Sequence, residues 1–221
     1  MTVLFVVATI VVLLGIDWAA RRLRHEPLVP AAAHASPPAG GARMPDGIFF
    51  TPSHTWLNLF PSGKVRFGVD DFLALAVGRP AVTLLRRPGD EVLKGDPLVL
   101  LREGGRELTV RAPIDADVVD VNERLQHRPE LMTTSLFSDG WAYTLKPRNF
   151  ADLRRFSLGR ETQTWMRIEF GRFRDFLASA GTAGGAAPAF LQDGGAPVDG
   201  ALRAADDETW QAFQHEFLSI E

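Results

Sequence analysis

LLREGGRELTV, residues 100–110, decides the fold of this chain, because an apolar strand, a Gly-Gly pair and a second apolar strand follow directly upon one another. Both Gly104 and Gly105 tolerate a positive φ, so the sequence predicts a β-hairpin with a two-residue turn. Short apolar or alternating segments recur on both sides, separated by Gly, Pro and Asp, at residues 64–68, 81–85, 98–101, 108–111, 117–121 and 142–145. This pattern predicts a small antiparallel sandwich or barrel.

Six segments around the hairpin carry a family resemblance. They are SHTWL (53–57), GKVRFGVDDFLALAVG (63–78), PGDEVLKGDPL (88–98), RAPIDADVVDVN (111–122), PEL (129–131) and DGWAYTLKP (139–147). In this order and with this spacing they resemble the H-protein of the glycine cleavage system. The resemblance implies a mainly β domain over residues 44–150 with the barrel-sandwich hybrid fold of biotinyl and lipoyl domains. It also implies a small lipoyl carrier whose activity depends on one lysine at the tip of a hairpin.

The tip of the hairpin departs from that family. Counting residues between the flanking GDPL and RAP motifs puts Gly105 at the position where the resemblance implies the lipoyl-bearing lysine. The chain contains three lysines, Lys64, Lys94 and Lys146, and none of them belongs to the hairpin. Lipoylation and biotinylation need an amine, and arginine, which stays protonated, does not replace it. We therefore expect no cofactor on this hairpin.

Composition excludes several functional classes. The chain has no cysteine, which excludes disulfides, thiolate catalysis and Cys-ligated metal. A net charge of −3 with scattered arginines gives no basic stripe for nucleic acid. The five histidines lack metal-binding spacing, and no nucleophile-elbow, Walker or dinucleotide motif occurs. The sequence predicts no catalytic residue, no metal ligand and no small-molecule substrate, and hence not an enzyme.

The N-terminal residues predict a transmembrane helix over 1–20. Residues 3–16 are uncharged and almost wholly apolar, and about 20 helical residues span a bilayer. The arginines that follow predict an N-terminus outside and a cytoplasmic β-domain. A secretory signal peptide or a helix buried in protein are the alternatives, but no positive charge precedes the apolar residues. The predicted anchor residues are Val3, Phe5, Ile10, Leu13, Trp18, Arg21 and Arg22.

Three further segments flank the β-domain. Residues 21–43 are predicted to form a basic flank and a Pro/Ala-rich tether. Residues 151–180 contain a predicted amphipathic helix, and residues 181–221 a Gly/Ala-rich arm with a terminal helix capped by Asp206 or Asp207. Both helices have two interpretations, since each either covers the domain's own core or docks on a partner or on the membrane surface. The candidate partner interface consists of Trp165, Phe170, Phe173, Trp210 and Phe217.

Three functional classes are open, and for the third of them, an enzyme or a small-molecule binder, the sequence offers no convergent polar site. The favoured prediction is a non-catalytic, membrane-anchored accessory subunit that stabilises a bacterial photosynthetic or respiratory complex from its cytoplasmic face. Its predicted partners are integral membrane subunits and the lipid bilayer, and its predicted location is the bacterial inner membrane, crossed once. The alternative is a degenerate, non-lipoylated H-protein-like module that docks on or regulates lipoyl-dependent enzymes.

Overall fold

The computed structural model describes residues 47–183 and 199–220. The predicted transmembrane helix over residues 1–20, with all its anchor residues, and the predicted tether over 21–43 lie outside these residues. No helix in the described part of the chain is both long enough and apolar enough to cross a membrane.

Strands dominate the N-terminal two thirds of the described residues, and helices follow them. The strands are β1 (Ile48–Phe50), β2 (Thr55–Leu59), β3 (Val65–Val69), β4 (Ala81–Leu84), β5 (Glu91–Val92), β6 (Pro97–Glu103), β7 (Arg106–Arg111), β8 (Ala116–Val121), β9 (Tyr143–Pro147) and β10 (Ser157–Leu158). The α-helices are α1 (Asp71–Val77), α2 (Arg124–His127), α3 (Leu131–Thr134), α4 (Arg160–Ala183) and α5 (Asp207–Phe217). Short 3₁₀ helices span Phe150–Arg155 and Ala201–Ala204. The predicted mainly β sandwich is confirmed.

Two antiparallel sheets form the β-domain. The larger has the strand order β10-β1-β2-β3-β9-β8-β5, and the smaller has the order β4-β6-β7. Phe67 and Tyr143 of the larger sheet and Leu98 and Leu101 of the smaller are fully buried. The Tyr143 hydroxyl joins the sheets, because it donates to the Leu98 carbonyl at 2.8 Å and accepts from the Arg86 N–H at 3.1 Å. A buried tyrosine needs such a partner, so this hydroxyl fixes β9 against β6.

The helices pack on one another around α1. Asp70 caps α1 by accepting a hydrogen bond from the Leu73 N–H at 2.9 Å. The ring of Phe72 lies 5.2 Å from that of Phe173 on α4 and 5.3 Å from that of Phe217 on α5, between centroids. These contacts place α4 and α5 on the buried side of α1.

A close contact between β2 and β3 gives a testable prediction of stability. Gly68 pairs with Trp56, and a Cβ added at Gly68 would lie 2.7 Å from the indole ring. Because overpacking a core costs about 1–3 kcal/mol, we expect Gly68→Ala to lower the free energy of unfolding by that amount. In α4 a Cβ at Gly171 would meet nothing within 4 Å. Gly171→Ala is therefore the matched control, and should raise stability by up to about 1 kcal/mol. Equal unfolding midpoints in denaturant for the two variants would contradict this account.

Candidate functional site

The hairpin formed by β6 and β7 ends in the predicted two-residue turn. Gly104 has a φ of 57° and Gly105 a φ of 85°, in the left-handed region that favours glycine. Both residues are exposed, and Glu103 pairs with Arg106 across the end of the ladder. The tip is thus a tight, solvent-facing turn without side chains.

The C-terminal segment, which comprises residues 199–220, forms contacts with both residues that flank the tip. The Arg106 guanidinium donates to the Ala205 carbonyl and forms an ion pair with Asp207 at 3.2 Å. Glu103 pairs with Arg203 at 3.0 Å. The Asp207 side chain is 83% exposed and that of Arg203 51% exposed, so these ion pairs orient the segment and add little stability.

The C-terminal segment also covers part of one edge of the smaller sheet. β7 is an edge strand, and its Thr109 N–H donates to the Gln214 side-chain oxygen at 2.6 Å. The Gln214 side-chain amide in turn donates to the Thr109 carbonyl at 3.1 Å. One glutamine therefore satisfies two backbone groups that an unprotected edge strand would leave to solvent or to another chain. The roles of Gln214 and Arg106 were not predicted from the sequence. Their partners lie 105 and 99 positions away along the chain, and contacts at such separations leave no local sequence pattern.

Apolar burial anchors the C-terminal segment. Trp210, Phe213 and Phe217 are almost fully buried, and the Trp210 indole donates to the Leu202 carbonyl at 2.7 Å. Burial of each such side chain contributes about 1.5–3 kcal/mol, which exceeds the contribution of the exposed ion pairs. The segment is thus an integral part of the fold rather than a loosely attached arm.

The candidate interface residues lie within the chain's own packing. Phe173, Trp210 and Phe217 are buried, while Trp165 and Phe170 are partly buried against the same core. Three of the five are thus closed to a partner in this conformation. Their contacts correspond to the interpretation in which both helices cover the domain's own core.

The three lysines lie away from the hairpin. Lys64 lies between β2 and β3, Lys94 lies between β5 and β6, and Lys146 belongs to β9; all three are exposed. Across residues 47–183 and 199–220, no group of His, Asp and Glu side chains could hold a metal ion.

Residues 48–167 match the family described as glycine cleavage H-protein. The glycine cleavage system H protein of Psychrobacter sp. (strain PRwf-1) is 30% identical over 122 residues, which are 55% of this chain and 97% of that protein. The probable glycine cleavage system H protein of Thermococcus kodakarensis is 31% identical over 113 residues, 51% of this chain and 84% of that protein. The crystal structure of an H protein from Mycobacterium marinum is similar at 22% identity and a TM-score of 0.44, over 53% of this chain and 90% of that one.

These similarities correct the favoured function. The predicted accessory subunit of a photosynthetic or respiratory complex, its integral membrane partners and its inner-membrane location are wrong. The similar proteins are named as H proteins of the glycine cleavage system. The favoured function was wrong because it relied on the length and hydropathy of an apolar N-terminal segment, and these two properties are shared by proteins of many functions. The six motifs of the β-domain, in contrast, are specific to one family.

The contact between Gln214 and β7 predicts a selective loss of stability. Gln214→Ala leaves the N–H and the carbonyl of Thr109 without partners, so we expect the free energy of unfolding to fall by about 1–3 kcal/mol. Gln211 lies on the same helix and is exposed. The control Gln211→Ala should therefore change stability by less than about 0.5 kcal/mol. Hydrogen exchange should locate the loss at the Thr109 amide; an equal effect of both substitutions would refute the assigned role of Gln214.

Proposed function

We propose, from the premise that the chain belongs to the glycine cleavage H-protein family, that it is a non-lipoylated docking or regulatory module for lipoyl-dependent enzymes. The family match spans residues 48–167, more than half of the 221 residues. The observation that carries the proposal is the hairpin tip, where Gly104 and Gly105 offer no side chain to acylate. The proposal assigns the chain no chemical step of its own.

The residues beside the tip support the absence of a lipoyl group. Lipoyl attachment forms an amide, and therefore needs an amine that can lose its proton. A guanidinium does not supply such an amine, and Arg102 and Arg106 form ion pairs with Glu107 and Asp207 respectively. In this proposal Gly105 occupies the position of the carrier lysine.

The C-terminal segment supports the same function. A carrier must present its tip inside the active site of another enzyme, whereas here Glu103 and Arg106 are held by a segment with three buried aromatic side chains. A tip fixed in this way suits a domain kept for its shape. Such a domain can bind enzymes that recognise H proteins, and it carries nothing between them.

The missing amine can be tested by attachment of lipoate. Incubated with lipoate, ATP and a lipoate–protein ligase, the purified chain should keep its intact mass, while an H protein in parallel gains a lipoyl group. A lysine at Gly105 would be strained at its φ of +85° but would meet no atom within 4 Å, so Gly105→Lys places an amine at the tip and should be modified. Gly89, which also has a positive φ and open space, provides the control Gly89→Lys, which should not be modified. A lipoyl group on the unmodified sequence would contradict the proposal.

Docking can be tested in a reconstituted glycine cleavage reaction driven by a lipoylated H protein. We expect the added chain to slow the reaction, because it occupies the enzymes without carrying the intermediate. More lipoylated H protein should restore the rate, since the two compete for one surface. Gly68→Ala, if unfolded at the assay temperature, controls for effects of bulk protein. No inhibition, together with no binding to the individual enzymes of the system, would refute docking.

A further inference from the structure

His54 lies fully buried between two carboxylates. Its Nδ1 is 2.9 Å from an Asp70 carboxylate oxygen, and its Nε2 is 3.7 Å from a Glu169 carboxylate oxygen. The Asp70 and Glu169 side chains are themselves buried, at 0% and 8% exposure. Nε2 has no hydrogen-bond partner among the described residues, since 3.7 Å exceeds hydrogen-bond length.

This arrangement favours an imidazolium. A neutral histidine donates from one ring nitrogen and presents a lone pair at the other. With Nδ1 donating to Asp70, a neutral ring would direct that lone pair toward the negative charge of Glu169. A protonated ring instead directs an N–H toward each carboxylate.

The aromatic rings around His54 favour the same charge. The imidazole is stacked on Phe72, with centroids 3.8 Å apart and planes at 17°, and on Trp165 at 5.2 Å and 21°. The faces of aromatic rings attract cations. Burial lowers the pKa of His54, but the Asp70 carboxylate and then Glu169 outweigh burial, so that pKa lies above its ordinary value.

His54 connects the β-domain to its helical extension. His54 directly precedes β2, Asp70 caps α1, and both Trp165 and Glu169 belong to α4. Glu169 also accepts hydrogen bonds from Arg172 at 3.0 and 2.9 Å, and Arg172 reaches Glu216 on α5 at 3.3 Å. A continuous series of charged side chains therefore links the β-domain to α4 and α4 to α5.

We propose that His54 is a proton-operated latch, in which the imidazolium holds α4 on the β-domain and loss of its proton loosens α4. The groups that face the ring are Asp70 from the start of α1 and Glu169 from α4, with Arg172 and Glu216 behind Glu169. Without the proton, both buried carboxylates lose their shared counter-ion. Arg172 still neutralises Glu169, but no ion pair among the described residues then links α4 to Asp70.

The direction of the pH dependence follows from the protonation of both groups. Since the pKa of His54 is raised on folding, its contribution is complete below the ordinary value of about 6.5 and is lost as pH rises through the folded pKa. Burial raises the pKa of Glu169, but His54 and Arg172 outweigh it and hold that pKa below its ordinary value. The contribution of Glu169 is thus lost only as pH falls through its own folded pKa. The latch is strongest in mild acid.

Hydrogen exchange of the full chain between pH 5.5 and 9 tests the latch. We expect the protection factors of α4 amides to fall about tenfold per pH unit between 6.5 and the folded pKa of His54. Amides of β3 and β9 should not follow this trend. NMR of the His54 ring should give a titration midpoint above pH 6.5.

Two variants of α4 separate the latch from a merely structural role. Glu169→Gln should move the His54 midpoint and the loss of α4 protection together, by about one pH unit toward acid, because one facing charge is gone. Glu161 is exposed on the same helix, so the control Glu161→Gln should leave both unchanged. The proposal is overturned if His54 titrates at or below pH 6.5, or if α4 protection stays constant while His54 titrates. It is also overturned if Glu161→Gln has the same effect as Glu169→Gln.

Discussion

Aromatic packing around Phe72 is the interaction on which the rest of the structure depends. The Phe72 ring contacts His54 in the β-domain, Phe173 on α4, and Phe213 and Phe217 on α5. Each of these rings is almost fully buried, so their removal from water supplies the free energy that holds both helices to the strands. Without this cluster, the C-terminal segment would lose two of its three buried aromatic anchors, Phe213 and Phe217, and would keep Trp210 and the hydrogen bonds of Gln214.

The position of the C-terminal segment and the composition of the hairpin tip are mutually consistent. A reactive tip needs an amine and freedom to enter another protein, and both are missing where Gly104 and Gly105 end a ladder flanked by Glu103 and Arg106. Gln214 pairs with Thr109 on the edge strand, so the backbone groups of this residue are not open to a strand of another protein. What a partner can recognise is therefore the remaining surface of the domain.

Local features were predictable from the sequence, and long-range ones were not. The turn at Gly104 and Gly105 and a cap at Asp206 or Asp207 are encoded within four residues, so they could be predicted, and the structure places that cap at Asp206. The strands β1, β2, β5 and β10 were not among the candidates, because two or three residues, or a strand buried on both faces, show no alternation. The role of His54 was missed as well, since Glu169 lies 115 positions further along the chain. Finally, the length of the apolar N-terminal segment led to the wrong prediction of a membrane-complex subunit.

The series of ion pairs that links Asp70, His54, Glu169 and Arg172 has a different effect from the aromatic cluster. Buried ion pairs add little net stability, because desolvation offsets most of their attraction. Aromatic burial does not depend on pH, however, whereas the ion pairs do, because they include the imidazolium of His54. The carboxylate of Glu169 meets the His54 ring in one register of α4 only, since a helix turns about 100° per residue. Packing around Phe72 thus supplies most of the free energy that binds α4, and the ion pairs of His54 make that binding depend on one proton, which is why deprotonation of His54 can loosen the helix while the β-domain stays folded.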